Sequence, residues 1–136
     1  MIGFPTMASL IVFYAKLLSF DPNVALAVAK VESGLNPKVV GGQGEIGLFQ
    51  LKPQFVKGVS RQELFNPHLN AIVAIERLKE ERKNCVHQGA LNYLVCYNMG
   101  RTAAKRIRAP EQFSYVIKVT SQANKYKKEN MIYGKN

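Results

Sequence analysis

Six prolines, at positions 5, 22, 37, 53, 67 and 110, fix where helices of this chain can begin and end. Proline holds its own φ and lacks an N–H, so it suits the first helical position and breaks a helix interior. Asp21-Pro22 and Asn66-Pro67 each set a side-chain acceptor just before a proline, the pattern of an N-cap followed by the first residue of a helix. The spacing predicts helices over 6–19, 22–33, 67–83, 89–98 and 111–127. Two short helical pieces are expected within 53–65 and another after Gly100. Between Val39 and Leu51 the character changes, because Gly41, Gly42, Gly44 and Gly47 lie close together. Such density breaks a helix and predicts a turn where backbone comes close to something. The expected class is mainly α, with one small glycine-rich β-ribbon or loop near 39–51.

A chain of 136 residues fits a single domain, 1–136, with a core over about 6–127. With 47% hydrophobic residues it can build that core despite 19 Lys+Arg against 9 Asp+Glu, a formal charge of +10. The lysine-rich end from Lys125 is expected to fray, leaving a basic tail over 128–136. No apolar run reaches the roughly 18 residues of a membrane helix, so no membrane span is expected. The first twenty residues are apolar, but no basic residue precedes them and Lys16 interrupts them, unlike a signal peptide. Met7, Leu10, Ile11, Tyr14, Leu17 and Leu18 recur at helical spacing and predict a packed first helix. His68, Cys85, His87 and Cys96 fit no zinc-finger spacing, so no metal is expected. The charge points to an anionic partner.

Glu32 stands at the last turn of the segment VALAVAKVESG, which is apolar on nearly every side. Negative charge at a helix C-terminus faces the negative end of the macrodipole, and burial disfavours a carboxylate. Both push a carboxyl pKa upward, as suits a general acid near neutral pH. By itself this context more often describes an exposed glutamate at a frayed helix end.

The wider pattern adds to it. Glu32-Ser33 with Asn36-Pro37 is followed by Gly44 with Gly47-Leu48-Phe49-Gln50, then Cys96-Tyr97-Asn98 with Gly100, then Tyr115-Val116. These elements, in this order, resemble the SLT-type lytic transglycosylases, a lysozyme-like family that cleaves peptidoglycan. The family's usual run is Glu-Ser-x-x-Asn-Pro, Gly-x-x-Gly-Leu-Met-Gln, Ala-Tyr-Asn-x-Gly and a late Tyr-Val. The Asn66-Pro67-x-x-Asn70 entry to a long helix is also similar, and the resemblance runs from about Leu10 to Val119.

The resemblance implies a lysozyme-like helical domain with Glu32 as a single catalytic acid and base. Ordinary glycosidases need a second carboxylate as nucleophile or water activator. Here the muramic acid's own 6-hydroxyl would attack its anomeric carbon, giving a 1,6-anhydro product, and intramolecular attack gains from proximity. No cofactor or metal is required. Ser33, Gly47, Leu48, Phe49, Gln50, Tyr97, Asn98 and Tyr115 become candidates for substrate binding. Gln50, Asn98 and the Tyr97 hydroxyl could bond sugar hydroxyls and N-acetyl groups, and Tyr115 could orient Glu32. For Tyr97 and Tyr115 the competing reading is core packing with a satisfied hydroxyl.

Three positions depart from the family. Phe49 replaces Met, Gly41 stands where many members carry Ser, and Glu45 stands where Ala is common. Glu45 is either an exposed charge of the ribbon or a second carboxylate able to activate water, which would make the enzyme a hydrolytic muramidase. Cys96 replaces Ala, and Cys85 precedes it by one short segment. The two form either a disulfide, suited to an oxidising compartment, or a pair of buried free thiols. The run ERLKEERK, Glu76–Lys83, reads as a solvated helix face.

Two further function classes can be set beside this. The charge and the Arg101–Arg108 cluster would suit a nucleic-acid-binding helical module, but that leaves the Glu-Ser, Gly-Leu-Phe-Gln and Tyr-Asn spacings unexplained. An inactive wall-binding relative would have no need of Glu32. The expected partner is therefore the peptidoglycan glycan strand, not nucleic acid, met in the periplasm or the extracellular wall. A monomer is expected, delivered by a phage or a secretion assembly or belonging to a larger cell-wall enzyme. A basic domain would be drawn to the carboxylates of the stem peptides.

Overall fold

The computed structural model describes Phe4 and residues 6–132, without the side chains of 131 and 132. Six α-helices occupy it: α1 (Met7–Leu17), α2 (Pro22–Ser33), α3 (Pro67–Asn84), α4 (Asn92–Met99), α5 (Arg101–Ala104) and α6 (Ser114–Ile132). Short 3-10 turns lie at Pro53–Phe55, Glu63–Phe65 and Pro110–Gln112. The chain divides into two compact units, Met1–Ile75 and Glu76–Asn136, and α3 runs through the boundary.

In the first unit, α1 opens on a capping box in which Thr6 and Ser9 satisfy each other's backbone N–H groups. It packs against α2, and its Leu10, Ile11 and Ala15 are buried. Burying the Leu10 and Ile11 side chains contributes about 1.5–3 kcal/mol each. The expected apolar stripe is narrower than its periodicity suggests, because Leu17 is 64% exposed at the helix end. There the backbone turns at Ser19, with φ +58°, and carries Phe20 back into the core. Asp21 caps α2 by accepting from Asn23 N–H at 2.9 Å, with Pro22 in the first turn as its sequence predicts. Ala25 to Ala29 are buried, and Gly34 closes the helix in the left-handed region at φ +66°. The side chain of Asn66 caps α3, accepting from His68 N–H at 2.9 Å.

The glycine-rich segment forms no strand among the described residues. It is a loop with two isolated antiparallel bridges, Val40 with Ile46 and Ile46 with Leu51. Its core-facing side chains, Ile46, Leu48, Phe49 and Leu51, are fully buried.

In the second unit, α4, α6 and the turn at Pro110 pack on one another, and α4 packs on α5. A disulfide joins Cys85 to Cys96, which resolves the thiol alternatives. Several boundaries differ from expectation: α1 closes at Leu17 and not 19, and α6 opens at Ser114 and not 111, after the 3-10 turn at Pro110–Gln112. Helix α4 begins at Asn92, not 89, because Gly89 has φ +109°, outside helical space. Helix α6 continues to Ile132, past the expected fraying at Lys125 and the tail from 128, because neither Gly nor Pro intervenes before Gly134. Residues 133–136 of that tail lie outside the described residues. Among the described residues no helix is long and apolar enough to cross a membrane.

Candidate functional site

Glu32 occupies the last turn of α2 and is half-buried. Its neighbour Ser33 is the hinge pin of the region. The Ser33 hydroxyl lies 2.7 Å from the Leu48 carbonyl, to which it donates, and accepts from Asn36 N–H at 3.2 Å. The end of the helix that bears Glu32 is thereby tied to the glycine-rich segment. Ser33 is a candidate substrate contact whose hydroxyl the fold already engages.

That segment is held from a second side by Asn70, on α3. The Asn70 side chain is fully buried and makes three bonds. Its Oδ1 accepts from Phe49 N–H at 2.8 Å, and its Nδ2 donates to the carbonyls of Ile46 and Leu64 at 3.0 and 2.8 Å. Gly47 is required by this clamp. A Cβ there would come within 2.6 Å of Asn70 Nδ2 and 2.7 Å of the Leu64 carbonyl, on a backbone with φ +81°. Gly47, Leu48 and Phe49 therefore serve as framework: the Leu48 and Phe49 side chains belong to the core. Sequence reasoning placed Asn70 only in the entry pattern of α3. Its bonding partners lie up to 24 residues away, and no local signal marks them.

Gln50 has a left-handed backbone, φ +52°, and its Nε2 donates to the carbonyls of Val39 and Gly47 at 3.0 Å each. With the amide nitrogen so engaged, the amide oxygen must face the other way, toward Gly41. Glu45 Oε1 lies on the same spot and accepts from Gln43 N–H at 2.9 Å. Hydrogen bonds from its own backbone N–H and from that of Gln43 hold the Glu45 carboxyl below the ordinary glutamate range. The Lys52 ammonium adds to this, and partial burial opposes it. Lys52 also donates to the Gln43 side chain at 3.2 Å. Glu45 is thus a half-buried, ionised part of the loop, more engaged than a free ribbon charge.

The remaining candidates lie in the second unit. Tyr97 is only 5% exposed; the Arg77 guanidinium stacks 5.0 Å from its ring centroid and donates to its carbonyl at 3.2 Å. Asn98, the next residue, is exposed. Tyr115 is 9% exposed at the start of α6, beside fully buried Val116. The ERLKEERK run is less solvated than its charges suggest, because Glu81 is 8% exposed and pairs with Arg101 at 2.8 Å. The first residue of the basic Arg101–Arg108 cluster is therefore occupied within the unit. Ligand-type atoms of Glu81, Cys85 and Cys96 lie within 4.8 Å of one another, but the sulfurs are bonded together and the carboxylate faces Arg101. That group is a structural cluster, closed by the amide of Asn92, 3.2 Å from Cys85 Sγ.

A family model described as "Transglycosylase SLT domain" matches residues 9–129. No curated protein matches the sequence significantly. Among solved structures, the chain is similar to the 70 kDa soluble lytic transglycosylase of Escherichia coli, with a TM-score of 0.71 and 21% identity. The likeness covers 93% of this chain and 24% of that one, so the chain spans about a quarter of that protein's length and shares a lysozyme-like fold with part of it.

Proposed function

Because the chain belongs to the transglycosylase SLT domain family, we propose that it is a lytic transglycosylase cleaving the MurNAc–GlcNAc β-1,4 bond of peptidoglycan, with Glu32 as its acid and base. One observation carries the assignment of Glu32: the Ser33–Leu48 bond fixes the helix end bearing it against the glycine-rich segment that Asn70 clamps. A carboxyl group that must serve first as acid and then as base needs this fixed placement.

In the reaction, Glu32 gives its proton to the glycosidic oxygen as the bond to the anomeric carbon of MurNAc breaks. The GlcNAc 4-hydroxyl leaves. The MurNAc 6-hydroxyl adds to the anomeric carbon, and its proton passes to Glu32, which restores the acid. No water is consumed, and the product ends in 1,6-anhydro-MurNAc. Gln50, Asn98, Tyr97 and Tyr115 are proposed to bind or orient the glycan, with Ser33, Gly47, Leu48 and Phe49 maintaining the segment that receives it. The two units are read as one catalytic domain, which is supported by the span of the family match and the continuity of α3. Its place of action would be the periplasm or the extracellular wall, and phage delivery or a secretion apparatus would bring it there.

Mass analysis of purified peptidoglycan digested by wild type and by Glu32→Gln tests the reading. Anhydromuropeptides from wild type alone are expected, with Glu32→Gln retaining the wild-type melting temperature. Reducing MurNAc ends without anhydro product would replace the lyase by a hydrolase, and the ionised Glu45 carboxylate would then be the water-activating group. Equal products from both proteins would remove Glu32 from the mechanism.

A further inference from the structure

Gly41 and Glu45 depart from the family run at two positions that prove to be one site. The Gly41 N–H donates to the Glu45 carbonyl at 2.8 Å, and the Gly44 N–H donates to the Gly41 carbonyl at 3.1 Å, so the two residues face each other across a tight turn. Gly41 does not have the positive φ of Gly44 and Gly47, so φ does not call for a glycine there. What a side chain there would meet is other side chains, which would have to leave the bonds that hold them. A Cβ on residue 41 would lie 2.5 Å from Glu45 Oε1, 3.1 Å from Glu45 Cδ and 2.6 Å from Gln50 Oε1. The carboxylate of Glu45 therefore stands in the space that a residue-41 side chain would fill.

We propose that Gly41 and Glu45 are a matched pair that determines what the glycine-rich segment offers a bound glycan: two acceptor oxygens, Glu45 Oε1 and Gln50 Oε1, in place of a hydroxyl. Neither oxygen can turn into a donor. The Gln50 amide is fixed because its nitrogen holds the carbonyls of Val39 and Gly47, and Glu45 is fixed by the Gln43 N–H. A serine hydroxyl at 41 could donate to an N-acetyl carbonyl or accept from a sugar hydroxyl. The pair present here can only accept, so it takes hydroxyl and amide N–H groups and repels carbonyl oxygens. Glu45 is accordingly a specificity-determining residue, and with Gln50 it fills the space beside the glycine at 41.

The inference on ligand choice rests on the peptidoglycan reading, whereas the pairing itself does not, and the test keeps them apart. Thermal melts of Gly41→Ser, Glu45→Ala and the double variant form a cycle. Gly41→Ser should melt lower than wild type, and Glu45→Ala should lower the melting temperature less in the Gly41→Ser background than in wild type, or raise it. Equal shifts in the two backgrounds would refute the pairing; Gly41→Ala, which adds Cβ alone, repeats the cycle should the serine variant not fold. Steady-state digestion of glycan strands supplies the second arm. Glu45→Ala removes one of the two acceptor oxygens, so it should raise KM several-fold with kcat little changed, and Glu45→Gln, which keeps an oxygen accepting from Gln43 N–H at that place, should restore KM toward the wild-type value. An unchanged KM in Glu45→Ala would refute the specificity role. Absence of turnover in wild type would sink the peptidoglycan reading and the ligand choice with it, while the melting cycle would still decide the pair.

Discussion

Replacing Asn70 by aspartate would keep the shape of the clamp and change the chemistry of one atom. Oδ1 could still accept from Phe49 N–H, but the nitrogen that donates to Ile46 and Leu64 would become an oxygen. One carboxyl oxygen facing two carbonyls in a fully buried site forces the aspartate to stay protonated, and its single proton can serve only one of them. The Ile46 carbonyl retains a second donor, Leu51 N–H at 3.0 Å, so the proton is best used on Leu64. The lost bond costs about 1 kcal/mol. Holding a proton at pH 7 on a group whose unfolded pKa is about 3.9 adds up to about 4 kcal/mol, at about 1.36 kcal/mol per pH unit.

The folded-state pKa is raised above the unfolded one, so the folded variant binds more protons and its stability falls as pH rises from about 4 toward the raised value. The deficit against wild type should therefore be about 1 kcal/mol near pH 4 and approach about 5 kcal/mol at pH 7. An unfolding entropy of about 2.1 cal/mol/K per residue over 136 residues makes 1 kcal/mol worth about 3.5 °C. Paired calorimetric melts between pH 4 and pH 7 should show the gap widening from a few degrees to well over ten. A gap that stays constant with pH, or stays below about 1 kcal/mol at pH 7, would refute the three-bond assignment.

Two further expectations concern cross-links and charge. Replacing Cys85 and Cys96 together by alanine removes a cross-link of sequence separation 11, and loop closure of that length is worth about 2–3 kcal/mol. The double variant should melt about 7–10 °C lower, and wild type under reductant should behave alike; coincident melts would mean the bond adds nothing. Because Glu45 has a folded pKa below the ordinary 4.5, its ionised form stabilises the fold above that pH, and the contribution is lost as pH falls through the depressed value. Urea titrations should show wild type and Glu45→Gln diverging as pH rises from 3 to 6, and parallel curves would count against the bonds assigned to the carboxylate.

What the sequence reveals and what it conceals divide along the range of the interactions involved. The starts of α2 and α3 are legible because Asp21-Pro22 and Asn66-Pro67 act on their own next turn, within reach of local reading. Glu32 is legible as a charge at the end of an apolar helix, and the glycine cluster as a loop. The bonds that hold that loop are not, since Asn70 and Ser33 reach partners 15 to 24 residues away. Glu81 misleads for a related reason: six charged neighbours in an eight-residue run suggest solvent on all sides, and only the approach of Arg101 shows which one turns inward. Gly41 and Glu45 are visible in the sequence as two separate oddities, and only atomic distances join them.

The disulfide has a consequence for how this chain matures. Its 136 residues contain two cysteines and therefore allow one intramolecular pairing, where four would allow three. The partners are also near neighbours, with Cys85 just past the end of α3 and Cys96 within α4, so they meet as soon as that stretch is made. Within these 136 residues, forming the bond needs an oxidant and offers no alternative intramolecular pairing.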